Sequence, residues 1–333
     1  MATEPQPTRR TGGPGPVPDQ APGPGGTRPT APATALAAPP GGTDRTRIHD
    51  IGYRSYDGPR LGRSYARRSL YAQSLRGAYG LGRSARSKVL PMLLFGVMCV
   101  PAAIMVAVAV ATKAHDLPVD YTRYAIIMQA VTSLFVAAQA PQSVSRDLRF
   151  RTVPLYFSRP IEASDYVRAK FAALASALFV LTAAPVLVLY VGALLAKLDF
   201  TDQTKGFGQA LVSVAVLSVL FGGIGLVVAS ITPRRGFGIA AIIAVLTITY
   251  GAVNTLAAIA DVQDSSGSIP WIGLFSPVTL VNGVQSAFLG AESTLPGARD
   301  ITSAQGAVYV LVVLAVISGC YALLTRRYRK AGL

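Results

Sequence analysis

The residues whose types best suit chemistry in this chain are the charges crowded into 143–170 (SVSRDLRFRTVPLYFSRPIEASDYVRAK): Arg146, Asp147, Arg149, Arg151, Arg159, Glu162, Asp165, Arg168 and Lys170. Mixed charge in so short a segment suits recognition of another surface through ion pairs. It does not suit the making or breaking of bonds. Pro160 stands where a short helix would start, with Glu162 and Asp165 near the N-terminal end that favours anions. Such a helix would be a docking peg for a soluble partner, although an ordinary topology-setting loop would carry the same charges. Bond chemistry elsewhere lacks its parts. The chain contains no GxxxxGK[ST] phosphate loop, no HExxH, no GxSxG and no paired carboxylates at catalytic spacing. His49 and His115 lie far apart with no cysteine cluster near either, so no metal site is expected.

The elements that must position that charged segment are apolar. Of 333 residues, 51% are hydrophobic and 14% charged, against about a quarter charged in soluble domains. Six runs without Asp, Glu, Lys, Arg or His stand out at 89–112, 124–142, 171–196, 207–231, 237–260 and 304–324. Each approaches the ~20 residues that cross ~30 Å of hydrocarbon as a helix, and none alternates as a barrel strand does. The expected fold is therefore an all-α membrane protein with a six-span bundle at 89–324. Cys99 and Cys320 would sit at depths roughly 9 Å apart, too far for a disulfide, and read as small core hydrophobes. Residues 1–47, rich in Pro and Gly, cannot bury enough surface to order and read as a disordered tail.

Charge sets the direction of threading. With six spans, segments 1–88, 143–170, 232–236 and 325–333 share one side and hold 26 of the 31 basic and 8 of the 16 acidic residues. The contrast is +18 against −3, which places the basic side, with both termini, in the cytoplasm. The formal charge of +15 thus marks topology and predicts no nucleic-acid partner, since the basic residues flank spans. The uncharged stretch 269–290 (IPWIGLFSPVTLVNGVQSAFLG) is long enough to cross, but would then send Arg326, Arg327, Arg329 and Lys330 outside. With Pro270, Trp271, Pro277, Asn282 and Gln285, it reads instead as an outer re-entrant helical hairpin; a seven-span layout is the competitor.

Ahead of the first span, in the segment 48–88, Leu61, Tyr65, Tyr71, Leu75 and Tyr79 fall on one helical face about 120° wide, with Arg63, Arg67 and Arg76 off it. That pattern predicts a helix lying in the membrane interface against lipid, ended by Gly77, Gly80 and Gly82; a basic juxtamembrane linker is the plainer alternative. Within the spans, Gln129, Gln139, Gln209 and Asn254 are expected to join helices by hydrogen bonds. No intramembrane acid or base is present for the ion coupling common in secondary transporters, so a transporter of this kind would take its energy from elsewhere.

Over roughly 48–330 this order of features resembles the membrane-spanning permease subunits of ABC-2-type bacterial ABC transporters. The run RDLRFRTVPLYFSRPIEASDYVRAKFAAL is similar to that family's segment after the second span, with Thr152, Leu155, Pro160, Ile161, Tyr166 and Lys170 at the matching positions. Arg146, Asp147 and Arg149 stand where the family usually has a glutamate-rich start. LFSPVTLVNGVQSAFLG is similar to the family's Ser-Pro stretch and outer re-entrant helices. The resemblance implies an exporter subunit in the bacterial cell membrane that pairs with a second permease, as homodimer or heterodimer, and with a separate ATPase. It implies a coupling helix over Ser158, Arg159, Pro160, Ile161, Asp165 and Tyr166, the interfacial helix as a second contact, and alternating access without bond chemistry on this chain. ATP and Mg would be held by the partner, with no cofactor here. Residues 48–60, with Tyr53, Tyr56 and Arg60, would be ordered near that interface. The residues alone leave two other classes open, a non-transporting scaffold or assembly factor and an ATP-independent channel or carrier. The apolar spans favour a lipophilic cargo.

Overall fold

A computed structural model of the protein describes residues 58–59, 61–113, 116–150, 155–156, 161–232, 234–297 and 301–331. The proline-rich tail at 1–47, Tyr53, Tyr56, Arg60, Thr152, Ser158, Arg159 and Pro160 lie outside the described residues. The described elements are helical. In chain order they are α1 (Arg63–Ala78), α2 (Ala85–Thr112), α3 (Tyr121–Ile127), α4 (Gln129–Ser143), α5 (Ser145–Arg149), α6 (Ala163–Leu195), α7 (Phe200–Ile231) and α8 (Arg235–Val262). Two short 3₁₀ turns flank α9 (Ile269–Ile272), and α10 (Pro277–Phe288) and α11 (Ser303–Ala331) complete the chain.

Five of these helices are long and apolar enough to cross a membrane: α2, α6, α7, α8 and α11; counting the bent pair α3 and α4–α5 as one span gives six. The protein is thus an all-α protein built to sit in a bilayer. The most apolar stretches of α6 and α7 are 44% and 56% buried within the protein, against 22% for those of α2, α8 and α11. So α6 and α7 form the centre, and the outer helices turn large apolar side chains such as Leu93, Ile248 and Leu311 outward. Close approach at the centre needs small residues: a Cβ on Gly222 of α7 would lie 3.5 Å from the backbone of Ala175 on α6. Buried hydroxyls on these helices bond to carbonyls of their own helix, as Thr182 does to Leu178 at 2.8 Å and Ser218 to Val214 at 2.7 Å, which satisfies them without a partner helix.

Three boundaries differ from the hydropathy reading. The helices overrun the apolar runs because local caps and charges extend them. In α7, Asp199 accepts hydrogen bonds from the backbone of Thr201 and Asp202 at 2.9 and 3.0 Å and starts the helix at Phe200, seven residues before the expected 207. Helix α6 begins at Ala163, so its first turns, carrying Asp165, Arg168 and Lys170, precede the apolar part that starts at Phe171. The expected continuous second span is broken: α3 and α4 meet at Met128 with a 56° bend. The Thr132 hydroxyl donates to the Met128 carbonyl at 3.2 Å beside the Thr132 backbone N–H at 3.1 Å, a shared acceptor of the kind that bends helices. The stretch 269–290 holds no crossing helix; α10, at 12 residues, spans only about 18 Å.

Candidate functional site

The basic ends of several helices converge on the start of α6. Tyr166, fully buried, donates its hydroxyl to Asp147 Oδ2 of α5 at 2.5 Å, and Lys170 Nζ lies 3.2 Å from the same oxygen. The Tyr166 ring packs against Tyr328 near the end of α11, with centroids 4.8 Å apart, and against Tyr156 at 5.4 Å. One turn away, Arg168 Nε donates to the Tyr321 hydroxyl at 3.1 Å. Ser145 of α5 donates to the carbonyl of Ala229 in the last turn of α7 at 2.7 Å. A single tyrosine therefore ties together α5, α6 and the tail of α11.

Helix α1 is fastened to the same point by charge. Arg63 of α1 hydrogen-bonds Glu162 at 2.6 Å and forms an ion pair with Asp165, while Arg67 reaches the other Asp165 oxygen at 3.8 Å. The Asp165 side chain is only 2% exposed, whereas both arginines are about half exposed. Burial works against the charged form of Asp165, but the Arg63 guanidinium outweighs it and holds the carboxyl below its usual range. Arg63, solvated and doubly paired, stays charged throughout.

Helix α1 meets the bundle through a face rotated from the one expected. Leu61 lies before the helix and is exposed, as is Tyr65 at 55%. Leu70 and Ala78 are buried instead. Tyr71, Leu75 and Tyr79 pack on the core: Tyr71 donates to Ser176 Oγ at 2.9 Å, Tyr79 to the carbonyl of Ala177 at 2.6 Å, and the Tyr79 ring lies 5.8 Å from Phe135. The apolar side chains of α1 are thus spent on α6, leaving Tyr65 and Leu61 outside. After Ala78 the chain turns with Gly80 and Gly82 at φ of +68° and +80°, where a side chain would be strained.

Of the expected coupling residues, the structure brings together Ile161, Asp165, Tyr166 and Lys170, with Ile161 buried in the main core. At the opposite end, the hairpin residues separate. Asn282, 2% exposed, accepts from the Thr294 backbone at 2.9 Å and its hydroxyl at 3.1 Å, and donates to the Glu292 carbonyl at 3.3 Å. Pro277 opens α10, Pro270 is buried and Trp271 is half exposed. Sequence reading passed over the residue that organises them, Tyr309 of α11. Its hydroxyl donates to the Pro270 carbonyl and would lie 2.3 Å from a Cβ on Gly273, while its ring would lie 2.3 Å from a Cβ on Gly283. A tyrosine facing two glycines from another helix has no signature in one dimension. Asp147 was likewise seen only as one charge among many; nothing in its spacing predicts that it serves two partners on α6.

Taken together, the basic end holds a network that links Asp147 to α6, α6 to the end of α11 through Tyr166, and α6 to α1 through Asp165. No protein-family model matches the chain, and no curated protein matches it.

Proposed function

We propose that this chain is the permease subunit of an ATP-driven exporter of the ABC-2 type. It crosses the bacterial cell membrane six times, keeps both termini in the cytoplasm, pairs with a second permease and takes its energy from a separate ATPase. The observation that carries the reading is the junction around Tyr166 and Asp165. A partner pressing on the segment before α6 acts on a buried tyrosine, a buried acid and a clamped interfacial helix, which deliver the motion to the two central helices. The layout draws support from the Tyr166–Tyr328 contact at 4.8 Å. It brings the end of α11 to the start of α6, in keeping with an even number of crossings between them.

The test is co-expression with a phosphate-loop ATPase encoded beside this chain. The two should co-purify, and reconstituted vesicles should hydrolyse ATP faster in the presence of cargo. Arg63→Glu, which sets like charges against Glu162 and Asp165, should leave the complex assembled and abolish that stimulation. ATP-independent flux through the lone purified chain would overturn the proposal in favour of a channel or carrier. A folded chain with no ATPase partner would overturn it in favour of a scaffold.

A further inference from the structure

A cavity of ≈ 550 Å³ opens at the basic end between α1, α4 and α6. Its size falls in the range of ligand pockets, ~300–1,000 Å³. One wall is polar, formed by Arg83, Gln139, Gln142 and Lys170; the other is apolar, with Leu70 and Leu174. The charges on the polar wall do not cancel. The Asp147 carboxylate is already shared between the Tyr166 hydroxyl and the Lys170 amine. Arg83 meets only a neutral acceptor, Gln142 Oε1 at 3.1 Å, and makes no ion pair among the described residues. A donor is also left over. Gln139 is 3% exposed and lines the cavity, and the buried Ser74 hydroxyl on the same lining has no hydrogen-bond partner among the described residues. A hydroxyl held dry without a partner costs about 1–3 kcal/mol. A pocket lined by an arginine without an ion pair, two amides and a spare hydroxyl is complementary to a compact, multiply accepting anion. Its place beside the interfacial helix, with an apolar wall next to the polar one, matches an amphiphile whose anionic end lies at headgroup depth.

We propose that this cavity binds a phosphate group, held by Arg83, Gln139 and Gln142 with the apolar wall against the rest of the molecule. Two sources share that chemistry, a phospholipid headgroup and free phosphate. The site needs only membrane location, not the exporter reading, so its test is run on the isolated full chain.

Native mass spectrometry of the detergent-solubilised chain with phosphatidylglycerol or diacylglycerol provides the measurement. Phosphatidylglycerol should bind as a retained adduct and diacylglycerol should not. Arg83→Gln should lower occupancy by about tenfold or more, the loss of one charge-assisted hydrogen bond. Gln139→Leu should leave the gel-filtration profile unchanged and should lower occupancy severalfold; it carries the test should the arginine variant misfold. Millimolar inorganic phosphate that displaces the lipid identifies the free anion as sufficient. A lipid that resists displacement identifies the headgroup with its acyl chains as the ligand. Equal binding of diacylglycerol, or wild-type occupancy in Gln139→Leu, would overturn the assignment.

Discussion

Replacing Tyr166 by Phe keeps the ring in its stack with Tyr156 and Tyr328 but deletes the hydroxyl that donates to Asp147 Oδ2 at 2.5 Å. The acceptor is a carboxylate, so the lost bond is worth about 1.5–3 kcal/mol, on the order of a tenfold to hundredfold drop in the folding constant. Tyr166→Ala removes the ring as well. With two aromatic contacts of ~0.5–1.5 kcal/mol each and a cavity left in a fully buried position, its cost rises to about 3–5 kcal/mol. Lys170 shares the same carboxylate oxygen at 3.2 Å, so Tyr166→Phe and Lys170→Met should not be additive, with a coupling energy of about 0.5–3 kcal/mol. Unfolding of the full chain in mixed micelles of rising SDS fraction, followed by the fluorescence of the single tryptophan, Trp271, reads all three. Equal costs for Phe and Ala would show that the hydroxyl alone carries the position. A cost below about 0.5 kcal/mol for Phe, or strict additivity with Lys170→Met, would refute the shared-carboxylate account.

Three further outcomes follow from other parts of the molecule. Gly283→Ala places a methyl 2.3 Å from the Tyr309 ring and should cost about 1–3 kcal/mol in the same assay, with Tyr309→Ala in the background removing most of the added penalty. Asp199→Ala should cost about 0.5–2 kcal/mol and raise amide exchange at Thr201 and Asp202, whose backbone donors lose their cap, without affecting amides in the middle of α7. Asp165 has a carboxyl held below its usual range, so the stability it contributes is complete above the unfolded value of 3.8 and is lost as pH falls through the lower folded value. Exchange protection of α1 should therefore be unchanged between pH 8 and about pH 5 and fall only below about pH 4. In Arg63→Ala it should already be reduced at pH 7.

The membrane-embedded, all-α character of this protein was legible along the chain because it depends on a local property, stretches of hydrocarbon length with no ionisable side chain. The charge asymmetry of the flanks is additive and equally readable. What the tertiary structure alone decided is which of many similar charges and aromatics meet. Asp165 and Tyr166 lie next to each other in sequence, yet one is gripped by arginines on α1 and the other bonds to α5 and stacks on the tail of α11. That division depends on helix rotation and on where α1 lies against α6. The rotation of α1 was misjudged for the same reason: a face of Leu and Tyr predicts an apolar surface to lie on, and lipid and a neighbouring helix satisfy that demand alike. The glycines opposite Tyr309 and the Asp147 carboxylate shared by two side chains of α6 belong to the same class. Each is created by contact between residues distant in sequence, and such contact leaves no period or spacing to read.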